Sequence, residues 1–173
     1  MTMHEMLCIV QSQLATDLNC TPGDLNGEKD SFIFTEVRDN PGRRPFPRRE
    51  QHFEMLSMGK SIVVSASPNI LDIVKPLLYG KDRDEAFSMP FVYGHSLYYL
   101  PDLAQIKLFD FPDGFVYEMV EQYDILALYQ YEGFRNAIQY NENHPRPDVL
   151  AALAKKDGHI VGMAGASNDC AMM

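Results

Sequence analysis

Apolar residues at Met3, Met6, Leu7, Val10, Leu14 and Leu18 fall three or four positions apart and predict one amphipathic helix over Met3–Leu18. Thr2 with Glu5 three residues later has the spacing of a capping box, and Thr21-Pro-Gly-Asp24 stops the helix and opens a polar loop. Ser31 to Val37 is rich in aromatic and β-branched residues and predicts a strand. Two short apolar segments, His52 to Met58 and Ser61 to Ala66, flank Gly59-Lys60 and predict a hairpin. Ser67-Pro68 then supplies an N-cap and a first-turn proline for a helix running to about Tyr79. Its buried stripe is Ile70, Leu71, Val74, Leu77 and Leu78, Gly80 ends it, and Pro76 inside the pattern is expected to kink or shorten it.

The second half opens less regularly. Lys81 to Glu85 is charged, Ala86 to Met89 has room for one helical turn, and Phe91 to Leu100 is aromatic and β-prone. Turn residues at Pro101-Asp102 and through Phe109 to Gly114 mark a boundary between a 1–105 α/β domain and a 106–173 remainder. From Phe115 the pattern restarts as a strand (Phe115–Glu121) and a helix over about Asp124–Tyr131, closed near Gly133. A proline-punctuated link follows from Asn141 to Pro147. Asp157-Gly158 is the sharpest local signal, a two-residue type I′ turn between Val149–Lys156 and His159–Ser167. Asp148 to Lys156 also has helix propensity with Asp148 as a cap, but the turn and the β-prone Ile160-Val161 favour a hairpin. The fold class is therefore mixed α/β.

Composition narrows the function classes. Fifteen basic against 24 acidic residues give a net charge of −9, which disfavours nucleic acid as a partner. No apolar run is long enough to span a bilayer, and the N-terminus lacks a basic region before its apolar residues, so the expected location is the cytoplasm. Cys8, Cys20 and Cys170 are too few and scattered for a disulfide framework or a zinc cluster; Cys8 reads as a small hydrophobe on a helix face.

No complete catalytic signature is present. The five histidines form no His-Glu-x-x-His pair, no metal site is expected, and there is neither a nucleophile elbow nor a Walker loop. Gly162-Met-Ala-Gly165 is better explained by small residues packing in a strand than by a phosphate cradle, which must open a helix. Arg38 to Arg49 holds five arginines and three prolines. Arg43, Arg44, Arg48 and Arg49 read either as an anion clamp of guanidinium forks or as a solvated loop paired with acidic surface. Glu132 near Arg135, with Tyr123, Tyr129, Tyr131 and Tyr140, reads as pocket lining or as core tyrosines with wet hydroxyls.

The order of strand (Phe115–Glu121), helical segment (Asp124–Tyr140) and hairpin (Val149–Lys156, His159–Ser167) resembles the opening of the GNAT N-acetyltransferase fold. Val161-Gly-Met-Ala-Gly165 resembles the third strand of that family. With Arg43-Arg44-Pro-Phe-Pro-Arg48 and Gly133-Phe-Arg-Asn-Ala-Ile138 upstream, the chain looks like a bacterial subgroup with an extra N-terminal domain. The resemblance implies transfer of an acetyl group from acetyl-CoA to a small-molecule or peptide amine, by direct attack of the amine on the thioester. It places Glu132, Arg135, Asn136 and Tyr140 on the acceptor side. The family binds the acetyl-CoA pyrophosphate on a glycine-rich turn after its fourth strand, and this sequence stops at Cys170-Ala-Met-Met173, where that strand would start. The expectation is an incomplete acetyltransferase domain that neither binds acetyl-CoA nor catalyses transfer as this chain alone; acetyl-CoA-dependent thiol release above an inactive control would overturn it. Two further expectations are self-association through an open edge around Val161–Met173, or disorder after Ser167. The rival reading is a non-catalytic ligand-binding or protein-interaction module using the arginine loop at 43–49.

Overall fold

The structure is a computed structural model, described here for residues 2–28, 31–45, 51–107 and 110–168. The chain divides into two compact units, the first ending at Ile106 and the second beginning at Lys107. Each has its own small sheet, so the fold is mixed α/β.

In the first unit, helix α1 (Met3–Leu18) is capped by Thr2 and Glu5 acting reciprocally, and Asn19 ends it in the left-handed conformation. A 3-10 turn at Pro22–Leu25 carries its own capping box from Thr21 and Asp24. Strands β1 (Ser31–Glu36), β2 (Phe53–Met58) and β3 (Ser61–Ala66) form a sheet in the order β1-β3-β2. The β2–β3 pair is the antiparallel hairpin expected around Gly59-Lys60, while β1 runs parallel to β3.

Every residue of central β3 is buried, Ser61 and Ser65 included, as a strand between two covered faces requires. Ile62, Val64 and Ala66 pack with Leu71, Val74 and Leu78 of helix α2 (Pro68–Leu78) and with Ala86. Val63 points the other way, onto Ala15 and Leu18 of α1 and onto Leu25.

Several expectations need correction here. Met3 is exposed, and the buried face of α1 includes Gln11, Gln13 and Asp17, polar residues that a hydrophobicity pattern assigns to solvent. Each has a partner: Gln11 meets Asn26, while Gln13 donates to Asp17 at 3.0 Å and to the Gly42 carbonyl at 2.9 Å. Cys8 is exposed, its sulfur 3.7 Å from His4 Nε2. Leu77 faces solvent rather than the core. Ser67 does not cap α2 with its side chain; its hydroxyl accepts the His52 backbone N–H at 2.9 Å and so ties the helix start to the strand entry. The single turn expected at Ala86 to Met89 lies earlier, as α3 (Arg83–Phe87), because Asp82 and Glu85 form a third capping box.

Phe91 to Leu100 forms no strand, and Tyr93, Tyr98 and Tyr99 are each more than 80% exposed. Strand propensity expresses packing on a pleated neighbour, and no sheet edge pairs with this segment.

The second unit is one antiparallel sheet in the order β4-β5-β6: β4 (Val116–Glu121), β5 (Asp148–Lys156) and β6 (His159–Ser167). Asp157 and Gly158 take φ of +50° and +78°, as a type I′ turn demands at both central residues. The register shifts between Ala154 and Lys155, leaving Val161 as the extra residue of a bulge. Between β4 and β5 the α-helix expected over Asp124–Tyr131 is instead 3-10, in two pieces at Gln122–Gln130 and Glu132–Phe134. Tyr131, at φ −97° and ψ 82°, breaks the run, and Tyr140 closes the segment in the left-handed region at φ +55°. Ile125, Leu128 and Ile138 are buried against Ala151 and Leu153 of β5.

Arg48 and Arg49 lie outside the described residues, as do Phe109 of the boundary segment and the tail from Asp169 onward, Cys170 included. Among the described residues no helix is long and apolar enough to cross a membrane.

Candidate functional site

The face of the second sheet that carries Glu118, Leu153, Lys155 and Ile160 is only partly covered by the 3-10 segment. Burial of Ile125 and Leu128 holds that segment down at its middle. What remains open is a cleft of about 500 Å³ between β4, β5 and Asp124–Tyr131. Its lining combines an apolar floor of Leu128, Leu153 and Ile160 with Glu118, Glu121 and Asp124. Lys155 is the one basic residue in the lining, and its ammonium is already paired with Glu118 across the strands. Three carboxylates against one ammonium leave the cleft net negative, which suits a cationic ligand with an apolar stem.

Of the four residues that the resemblance puts on the acceptor side, none lines this cleft. Glu132 and Arg135 lie on the surface, 82% and 74% exposed, paired with each other at 3.6 Å; such an ion pair contributes little. Asn136 borders a second, smaller cleft of about 380 Å³, with Phe134, Met163 and Gly165. Tyr140 turns inward: its hydroxyl donates to the Tyr131 carbonyl and its ring lies 5.5 Å from that of Tyr129. The four are therefore spread over three surroundings rather than brought to one point.

Behind the first cleft sits a polar knot that no local pattern announces. Asp148, at the start of β5, accepts from the Tyr129 hydroxyl at 2.7 Å, the Gln139 backbone N–H at 2.8 Å and the Ser167 hydroxyl at 3.2 Å. Burial, helped by the Asp148 carboxylate, pushes the Tyr129 phenol up to about 12. One carboxylate thus fastens both ends of the hairpin to the crossing segment that walls the cleft.

In the first unit the described part of the arginine loop is engaged rather than open at Arg43 and Arg44. Arg44 Nε meets Asp17 Oδ2 at 2.6 Å, and the Arg44 backbone N–H reaches Asp17 Oδ1 at 2.8 Å. The two side chains are only 19% and 8% exposed, so this guanidinium is committed to α1. Arg43 donates to the Arg38 carbonyl at 3.1 Å. Arg44→Leu is expected to cost about 2 kcal/mol in urea unfolding, the value of one charge-assisted bond. The loss stops there because Gln13 and the residue-44 backbone N–H still satisfy Asp17. A fully neutral result would mean that the pair is solvated in solution.

The described residues do not fit the pyrophosphate of acetyl-CoA. Gly162 to Gly165 sit inside β6, paired with Ala154 to Ala151, and open no helix. Cys20, the other described cysteine, has its thiol pushed up to about 11 by burial and then by Asp24, which makes it a poor nucleophile. Among the described residues no three His, Cys, Asp or Glu side chains are grouped to hold a metal.

Fold and site together define a two-unit α/β chain whose second unit presents an acidic cleft on an antiparallel sheet. Comparison with protein-family models, curated proteins and solved structures gave no match.

Proposed function

We propose that the second unit is the acceptor-amine side of a GNAT-type, acetyl-CoA-dependent N-acetyltransferase acting in the cytoplasm. The observation that carries this reading is the connectivity: one strand, a crossing helical segment, then a hairpin, joined as an antiparallel β4-β5-β6 sheet. The cleft between that crossing segment and the sheet supports it, because amines are cations at neutral pH and the lining is net negative. Glu121 and Asp124, the lining carboxylates not paired with Lys155, would meet the amine, while Tyr140 supports the wall from behind and Glu132, Arg135 and Asn136 lie outside the cleft. Acetyl-CoA would be held by parts that these residues do not form, so the chain's own contribution is to collect and orient the amine.

The test is a titration of the whole chain with 1,4-diaminobutane, followed by amide chemical shifts. Shifts centred on Glu118–Asp124 and Lys155 are expected, weakening several-fold as salt rises, and lost in Glu121→Gln/Asp124→Asn. The matching diol should produce none. Equal shifts from diamine and diol, or none from the diamine, would remove the acceptor reading.

In the rival reading, a binding module built on the arginine loop, Arg44 is already paired with Asp17, while Arg48 and Arg49 lie outside the described residues.

A further inference from the structure

We infer that two copies of this chain pair edge to edge through β6, forming a closed two-fold dimer with one continuous six-stranded sheet. The sheet of the second unit has two edges, and among the described residues neither has a strand on its outer side. They differ in charge. Edge strand β4 carries Glu118 and Glu121 in a run of six, and acidic side chains on an edge keep it solvated and discourage pairing. Edge strand β6 has no Asp, Glu, Lys, Arg or Pro in its nine residues, so it carries none of the usual guards against pairing except its bulge.

The bulge at Val161 and a second register shift at Asp148/Leu150 limit the regular edge to Gly162–Ala166. For a chain of net charge −9, approach through an uncharged strand meets the least repulsion. Antiparallel pairing of β6 with its own copy satisfies both edges at once and closes the assembly at two. Joining β6 to β4 of the next copy would instead build a ring or an open filament, not a dimer. A two-fold axis at the middle of Gly162–Ala166 sets Ala164 against its copy. Ala164 pairs with Ala152 on the sheet face opposite the buried Ala151 and Leu153, and it is exposed, so a charge there leaves the core intact.

Sedimentation equilibrium of the whole chain tests this. The wild-type mass should rise with concentration from 19.7 kDa to twice that value and stop. Ala164→Lys and Ala164→Glu should each weaken the dimer by about tenfold or more, through like charges facing across the axis. Mixing the two variants should restore it, which a merely misfolded variant could not do. Met119→Lys on β4 should leave it unchanged. A monomer at every concentration, growth beyond two copies, a dimer indifferent to both Ala164 variants, failure of the mixture, or loss in Met119→Lys each overturns the inference.

Discussion

Gly165→Val is expected to destabilise the second unit by about 3 kcal/mol, at the upper end of what overpacking costs. A Cβ at this position would lie 2.1 Å from the Ala137 carbonyl oxygen, 2.8 Å from Ile138 Cγ2 and 3.1 Å from the Ala137 carbonyl carbon. Two of these three atoms are backbone, so no rotamer change relieves the contact. The segment around Ala137 would have to lift, taking with it the buried Ile138 and the Gln139 N–H that Asp148 accepts. Gly162 in the same strand is the control. A Cβ there meets only Ala154 Cβ, at 3.5 Å, an ordinary contact. Urea unfolding should therefore show a large drop in midpoint for Gly165→Val and a small change for Gly162→Ala. Equal drops would mean that strand propensity, rather than the close approach of Ala137, sets the cost.

Removing the Asp148 carboxylate should cost about as much, on the order of 3 kcal/mol, because three donors lose a charged acceptor together. In Asp148→Ala the Tyr129 hydroxyl and the Gln139 N–H are left facing a largely dry position. The same knot makes an alkaline prediction. The Tyr129 phenol lies at about 12 in the folded chain against 10.0 for a free one. The folded state thus favours the protonated phenol. Its stabilisation is whole below pH 10 and is lost as pH rises through 12. Stability of the wild type should fall across that window, measured by urea midpoints at each pH. Tyr129→Phe should lack this fall, and Asp148→Ala should shift it to lower pH. An alkaline profile identical in all three would place the phenol in water.

Local grammar carried much of the fold. The capping box at Thr2 and Glu5 fixed the start of α1, and Asp157-Gly158 fixed the β5–β6 turn over a competing helix propensity. Those signals are chemical and short-range, so a single sequence contains them. Phe91 to Leu100 shows the limit, since its propensity for strand could not reveal that no edge accepts it. The 3-10 course of Gln122–Gln130 was hidden for a similar reason. Its apolar spacing suits an α-helix, and only long-range ties from Tyr129 to Asp148 and from Tyr140 to Tyr131 mark the tighter path.

The site was less legible than the fold. Glu118, Asp124 and Lys155 become neighbours only when β5 returns beside β4, and Asp148 stands nineteen residues from the tyrosine it binds. No spacing rule connects such positions. The glycines of Gly162-Met-Ala-Gly165 signal small residues packing in a strand, but no local pattern names the Ala137 backbone as the group that needs the room at Gly165.

The mixed pairing of the first sheet also sets an order in time. The β2–β3 hairpin closes over two residues, whereas parallel β1 meets β3 at partners thirty positions apart, Ser31 with Ser61. Local closure costs less chain entropy, so the hairpin forms early and β1 docks afterwards onto a strand already in place. Until it does, Val63 lacks Ile33, its partner across the strands, so the cluster with Ala15, Leu18 and Leu25 is completed by the first strand rather than by the last.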